Sequence, residues 1–302
     1  MKQVKKIFKY LFTDQYQILD YFVYKLAPYI KSDSLYLRLY YQAKMHRSLN
    51  LKNPKTFNEK LQWLKLNDRN PLYCKMVDKI EAKKLVSKII GDKYIIPTIG
   101  QYDTVNDVDW DSLPNQFVIK CSHDSGGIVV CKDRSKLDIE GAVNKLAEGL
   151  NMNFYDYNRE WPYKYVKPRI IVEKYMEDNK TKELRDYKFF CFDGTVKALF
   201  IASDREKSGE ETKFDFFDSD FNHLPIKNGH PNSSVLPDKP ESFEEMKTIA
   251  SKLSKGIPEV RVDLYEVNGK VFFGELTFFH WSGVVPFDPE SWDVTFGSWI
   301  KI

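Results

Sequence analysis

Residues 260–265 (Val-Arg-Val-Asp-Leu-Tyr) and 271–276 (Val-Phe-Phe-Gly-Glu-Leu) are two strand-like runs around Asn268-Gly269, and no other stretch restricts the fold as much. Asn-Gly between apolar runs is the strongest short-range signal for a two-residue turn, so an antiparallel hairpin is expected here. Asp263 and Glu275 flank the turn. A register that sends both side chains to one face makes two hard carboxylates converge, with Arg261 close by in the first strand. Carboxylate pairs of this kind hold Mg²⁺ together with substrate phosphates. On this stretch alone the plainer reading also stands, because charged residues on the open face of a hairpin commonly just meet water.

The chain has 302 residues, 42% of them hydrophobic, enough to bury a core in one large domain or in two to three lobes. Its 46 Lys+Arg and 43 Asp+Glu leave a net charge of +3. That lacks the basic bias of a dedicated nucleic-acid binder, so no nucleic-acid partner is expected. Cys74, Cys121, Cys131 and Cys191 lie far apart without a Cys-x-x-Cys pair, which argues against a zinc knuckle or a disulfide framework and fits a reducing cytoplasm. Lys2, Lys5, Lys6 and Lys9 precede an apolar, aromatic run that Asp14, Asp20 and Lys25 interrupt. The run is too broken for a membrane span of about 18 residues and has no small-residue cleavage site. It reads as an amphipathic helix, docked on the body of the protein or, as the minor reading, lying on an anionic membrane surface.

Apolar residues recur at helical intervals from Ser34 to about Ile90, broken at Asn53-Pro54. Thr56 and Glu59 have the spacing of a capping box that starts the helix carrying Trp63. Asp78-Lys79 opens a basic helix. Further on, 117–120 (FVIK) is a short strand ending in Lys120, and a polar loop, Cys121 to Gly127, leads to a second strand at Ile128. Backbone N–H groups and serine hydroxyls of such a loop can approach phosphates, with Lys120 as a fixed positive charge; a Gly-Gly hairpin can equally be a mere turn. Tyr155, Tyr157, Trp161, Tyr163 and Tyr165 form an aromatic loop that either stacks on sugar rings or packs. Strand-like alternation returns at 170–174, 187–191 and 196–201, and Phe243 to Leu253 reads as a helix.

In order along the chain, FVIK, SHDSGG, IIVEKYM, RDYKFFCFDG, VRVDLY and GELT resemble the ATP-grasp superfamily. The segments 53–79, 113–127 and 272–293 are closer still to its TupA-like branch, whose members sit among capsule, teichuronopeptide and surface-polysaccharide biosynthesis proteins and are sometimes labelled glycosyltransferases. The resemblance implies an α+β fold in which two α+β lobes grip ATP, preceded by an N-terminal helical extension. The expected segments are 1–50 for the extension, 51–115 for a helical and short-strand region, 116–168 for the small lobe and 169–302 for the large lobe.

The same resemblance implies ATP and Mg²⁺ as cofactors and gives each site residue a role. Lys120 matches a phosphate-contacting lysine, and Ser122, His123, Ser125, Gly126 and Gly127 match the loop that closes over the phosphates. Glu173, Lys174 and Met176 match the hinge at the adenine edge, with apolar neighbours such as Ile119 packed on the ring and Asp178 facing the ribose. Asp263 and Glu275 match the metal carboxylates, and Arg261 the arginine that steadies the transferring group. Lys188 stands either as a cation facing the γ-phosphate or as a surface ion pair. Many relatives carry Asn where this chain has Thr277, which either meets metal through water or serves the substrate. His280 and Ser282 are read as substrate contacts or as packed structural residues.

These roles imply a carboxylate–amine ligase that forms an acyl-phosphate, with family context suggesting a uronic acid and an amino acid as substrates. Alternatives are a sugar or polyol kinase, a glycosyltransferase, or a non-catalytic nucleotide-binding scaffold among polysaccharide assembly proteins. Asp218-Ser219-Asp220 is formally the D-x-D of a glycosyltransferase but lies in an irregular stretch.

Overall fold

The computed structural model describes residues 15–124, 126–180, 182, 184–203 and 211–302. The lysines at positions 2, 5, 6 and 9 and the loop serine Ser125 lie outside these residues. In chain order the helices are α1 (Gln15–Leu26), α2 (Asp33–Met45), α3 (Phe57–Asn67), α4 (Leu72–Val77), α5 (Lys79–Ile90), α6 (Ile139–Leu150), α7 (Phe154–Asn158), α8 (Phe243–Leu253) and α9 (Ser291–Trp299). The strands are β1 (Thr98–Tyr102), β2 (Phe117–Cys121), β3 (Ile128–Cys131), β4 (Ile170–Lys174), β5 (Asp186–Phe192), β6 (Thr195–Ser203), β7 (Lys213–Asp218), β8 (His223–Leu224), β9 (Val260–Val267) and β10 (Lys270–Thr277). Among the described residues no helix is long and apolar enough to cross a membrane.

Two compact units form, and both cut across the four consecutive segments expected from sequence. Of the described residues, one unit is helical and gathers those up to Asn70 with Asn153–Trp161 and Phe279–Ile302; the other holds those of Pro71–Met152 and Pro162–Phe278. In the helical unit, α3 starts where the capping box places it: Thr56 Oγ1 accepts from Glu59 N at 3.2 Å and Glu59 Oε2 accepts from Thr56 N at 3.2 Å. Its buried Phe57 meets Phe287 and Phe296 edge-on, which joins α3 to α9. Val23, Ala27, Tyr36, Leu37, Tyr41 and Leu49 form the core shared by α1 and α2.

The second unit contains both sheets. The smaller has the order β1-β4-β2-β3 and the larger β10-β9-β5-β6-β7-β8, with every neighbouring pair antiparallel. Pairing in the smaller sheet brings together strands from outside 116–168: β2 is flanked by β4, which in turn carries β1. Alternation along β2 buries Phe117, Ile119 and Cys121 in a core with Leu146 of α6 and Ile170 and Val172 of β4. On the larger sheet Phe189 of β5 packs towards Phe243 of α8, the ring centroids 6.1 Å apart. The opposite face of β5 and β9 carries the charged residues.

Candidate active site

The β9–β10 hairpin forms around Asn268 (φ 52°) and Gly269 (φ 73°), the two positive values that a type I′ turn requires. From Lys270 to Phe273 the pairing is regular, with Phe273 opposite Leu264. Gly274 is then bulged out, and the register moves by one so that Glu275 lies opposite Asp263. Without that extra residue Glu275 would face Val262 and point to the apolar side, because a one-residue slip exchanges the faces of a strand. A Cβ at Gly274 would come within 3.0 Å of the Asp263 carbonyl and the Tyr265 ring, so glycine suits the bulge. On the other edge of β9, Lys188 of β5 lies opposite Asp263. Lys188, Asp263 and Glu275 thus form one row across three adjacent strands.

Asp263 is fully buried and held from two sides. Arg261 donates to it twice, Nε to Oδ1 and Nη2 to Oδ2, both at 2.7 Å, and Lys188 Nζ forms an ion pair with Oδ2. Lys188 also lies 3.3 Å from Asp186 Oδ1, so it is the member of an internal network and not of a surface pair. Arg261 reaches on to Glu275 Oε1 at 3.3 Å and Thr277 Oγ1 at 3.0 Å, with its guanidinium 5.6 Å from the Phe200 ring centroid. The Thr277 hydroxyl donates to Glu275 Oε1 at 3.0 Å. Glu275 itself is half-exposed. Burial pushes its carboxyl up, but Lys188, Arg261 and Lys79 together outweigh this and hold it at about 2.

The smaller sheet contributes cations. Lys120 of β2 and Lys83 of α5 each pair with one oxygen of the buried Glu173, Lys120 at 2.6 Å. Lys83 also donates to the carbonyl of Ile96 at 2.8 Å. Lys79, one turn earlier on α5, donates to the Asp124 carbonyl and interacts electrostatically with both Glu275 and Lys120. Burial lowers the affinity of Lys79 for its proton, and the neighbouring Lys120 adds to this while Glu275 opposes it. Neither Lys79 nor Lys83 stands out in the sequence as a site residue. The available signal is their spacing of four at the start of a helix capped by Asp78, which places both on one helix face; other lysines of the same basic helix dilute it.

The loop after β2 is tied down at its base. The Ser122 N–H donates to the Arg169 carbonyl at 2.7 Å, its carbonyl accepts from Lys79 N, and its buried hydroxyl finds no hydrogen-bond partner among the described residues. His123 is buried, which lowers its proton affinity, and its Nε2–H donates to the Met152 carbonyl at 3.3 Å. It therefore braces the loop against the end of α6. Gly126 takes φ 111°, where a side chain would be strained, and the Gly127 N–H donates to Asp124 Oδ2 at 3.0 Å.

At the end of β4, the Lys174 N–H is used by the Pro97 carbonyl at 2.9 Å, while Met176 follows in the loop beyond the strand. Ile119 does not face the Lys120 side. Alternation along β2 turns it into the core, and Val118 and Ile171 are the apolar residues on the lysine face. Asp178 holds the turns nearby, its Oδ2 accepting from Asn268 N at 2.7 Å and its Oδ1 from Lys180 N at 2.8 Å.

His280 and Ser282 belong to the helical unit and both are buried. The buried Lys65 of α3 donates to the Ser282 carbonyl and hydroxyl, at 2.9 and 2.7 Å, and to the Asn158 carbonyl at 2.9 Å. Ser282 also hydrogen-bonds Glu160, whose carboxyl is pushed up by burial, and burial brings Lys65 down to about 8 against the pull of Glu160. These contacts make Ser282 part of the framework of that unit. Asp218 closes a local turn, with its Oδ1 accepting from the N–H groups of Asp220 and Asn222, which accounts for the formal D-x-D.

Among the described residues no group of three or more His, Cys, Asp or Glu side chains gathers in metal-binding fashion. Asp263 and Glu275 still fit Mg²⁺ in kind, being adjacent hard oxygen donors with Glu275 ionised. An ion held by one or two carboxylates takes its remaining positions from water and phosphate, as Mg²⁺ commonly does.

Residues 59–301 match the family model described as TupA-like ATPgrasp. No curated protein matches the chain. Among solved structures it is similar to a D-alanine–D-alanine ligase of Bacillus anthracis complexed with ATP, at 14% identity and a TM-score of 0.38 over 67% of this chain and 53% of that one. It is also similar to the D-alanine–D-alanine ligase of Helicobacter pylori, at 14% identity and a TM-score of 0.43 over 82% and 69% of the two chains. The ATP-grasp ligase PsnB matches at 9% identity and a TM-score of 0.37, over 67% of this chain and 52% of PsnB. The chain thus spans a little over half the length of the first of these ligases.

Proposed function

Because the chain belongs to the TupA-like ATP-grasp family, we propose that it is an ATP- and Mg²⁺-dependent carboxylate–amine ligase of surface-polysaccharide synthesis, joining an amine or amino acid to a sugar acid. The row Lys188–Asp263–Glu275, bracketed by Arg261, is the observation that supports this best. Asp263 and Glu275 hold the metal in this reading, which when bound offsets charge on the ATP phosphates. Lys120 and Lys79 face those phosphates, and the loop from Ser122 to Gly127 covers them. Glu173, Lys174 and Met176 border the adenine, and Asp178 sets the hinge loop beside the ribose.

The substrate carboxylate attacks the γ-phosphorus, the bond to the bridging oxygen breaks, and ADP leaves. Arg261 and Lys188 are fixed cations beside the place where charge spreads over the transferring phosphoryl group, and preorganised charges of this kind supply much of the rate in such reactions. The amine then attacks the carbonyl carbon of the acyl-phosphate, phosphate leaves and an amide forms. Buried Asp263 keeps both cations in place between turnovers, so they need no reorganisation from solvent.

The test supplies Mg²⁺-ATP with a panel of uronic acids and amino acids and follows ADP, free phosphate and product mass. Phosphate release that needs both a carboxylate and an amine, with an amide product, is expected. A stable phosphate ester without free phosphate would replace the ligase by a kinase. Mg²⁺-ATP binding by calorimetry without turnover would leave a non-catalytic nucleotide-binding scaffold, and absence of binding would overturn the nucleotide site itself.

A further inference from the structure

Five tyrosines of the helical unit line one open cavity of about 490 Å³. Small-molecule pockets are of this order, roughly 300–1,000 Å³. Tyr24 and Tyr157 stack with centroids 4.7 Å apart and planes at 23°, and Tyr36 and Tyr40 stack at 5.7 Å with the same tilt. α1 supplies Tyr24, α2 supplies Tyr36 and Tyr40, and α7 supplies Tyr157. Their positions are fixed from below. The Tyr36 hydroxyl donates to the Tyr157 carbonyl at 2.6 Å, and the Arg159 guanidinium lies 4.3 Å from the Tyr36 ring centroid. Arg159 is buried and donates to the carbonyls of Ala27 and Ile30, at 2.7 and 2.8 Å, so α7 is locked onto the end of α1.

Polar groups surround the aromatic walls. Asp20 and Lys44 form an exposed ion pair of 2.8 Å, and Asn158 Oδ1 lies 3.5 Å from the Tyr40 hydroxyl. Burial keeps the hydroxyls of Tyr36 and Tyr40 protonated well above neutral pH, and with their protons given to the Tyr157 carbonyl and towards Asn158 they present acceptor lone pairs. Flat rings between carboxylate, ammonium, amide and phenol groups match a pyranose, whose C–H face lies on an aromatic ring while its hydroxyls reach donors and acceptors at the edge. A quaternary ammonium would also suit tyrosine faces, but the carboxylate at the mouth, Asp20, is already paired with Lys44, and Arg159 lies beneath Tyr36. We infer that this cavity is a saccharide-binding site that takes one or two pyranose rings. The inference rests on the cavity alone and stands apart from the phosphoryl chemistry proposed above.

Saturation-transfer NMR on the full chain tests it, with glucose, galactose, N-acetylglucosamine, glucuronate and cellobiose as probes and choline as competitor. Transfer to the ring protons of at least one sugar is expected, weakened about ten-fold or more by Tyr24→Ala and by Tyr157→Ala. Tyr24 is 56% exposed, so its truncation leaves the fold intact, and Tyr24→Phe should keep most of the binding because it keeps the ring. No sugar binding by wild type, equal binding by Tyr24→Ala, or choline binding more tightly than every sugar would each overturn the inference. Calorimetry with Mg²⁺-ATP on the same variants should show unchanged affinity. Failure of nucleotide binding in wild type, with sugar binding intact, would count against the ligase reading and leave this one standing.

Discussion

The two sheets handle charge in opposite ways. On the smaller sheet Glu173 is shared by Lys83 and Lys120, so the cluster keeps an excess positive charge that can meet an anion without rearrangement. On the larger sheet Asp263 and Glu275 are balanced by Arg261 and Lys188, and every one of these groups is engaged within the row. A phosphate can therefore join the first cluster by addition, whereas at the second a divalent cation meets an Asp263 already paired with two cations and a Glu275 that stays half-exposed.

The largest effect that follows is at Asp263. It is completely buried between two cations, and removing one partner from such a network costs up to about 3–5 kcal/mol because Arg261 and Lys188 keep only their longer contacts to Glu275 and Asp186. Asp263→Asn should lower the urea midpoint accordingly and abolish Mg²⁺-dependent turnover. A variant of unchanged stability would mean that Arg261 and Lys188 are not held by Asp263, and the contrast between the sheets would collapse.

Lys120→Ala comes next. Glu173 retains Lys83, so the fold should suffer little, but the phosphates lose a charge-assisted contact worth about 1.5–3 kcal/mol, ten-fold or more in ATP affinity by calorimetry. Equal affinity would remove Lys120 from the phosphate site. A double-variant cycle of Lys120→Ala with Lys83→Met sharpens the point: once both lysines are gone, Glu173 is buried without a partner, and the stability losses should exceed their sum.

How much of this could be read from residues differs between local and distant features. The hairpin, its Asn268-Gly269 turn and the Thr56–Glu59 cap were legible because each is written within a few neighbouring residues. The carboxylate pair was legible in kind, but its convergence depends on the bulge at Gly274, and a glycine before a glutamate does not announce a register shift. Ile119, expected beside the adenine, lies on the core side of β2, and the strict alternation of the strand excludes it from the lysine side. Lys79, Lys83 and the tyrosine cavity were hidden for another reason. Their partners lie far away in sequence, as Tyr36 is from Tyr157, and no local pattern encodes such pairings.

Glu275→Gln should give the smallest change and the most specific one. Half-exposed pairs contribute roughly 0–1 kcal/mol, so at neutral pH wild type should be the more stable by no more than about 1 kcal/mol while Mg²⁺-ATP turnover is lost in the variant. The acid limb separates the two forms. Although burial works against it, the Glu275 carboxyl is held at about 2 by Lys188, Arg261 and Lys79, below its ordinary value of 4.5. A depressed carboxyl contributes its full stability above the unfolded value and loses it as pH falls from about 4.5 towards 2, since the unfolded chain takes up the proton first. Wild type should therefore lose stability over that window faster than Glu275→Gln, with the two urea midpoints converging by pH 2. Parallel curves would show that Glu275 does not feel the three cations, and would place the second carboxylate outside the network that Asp263 anchors.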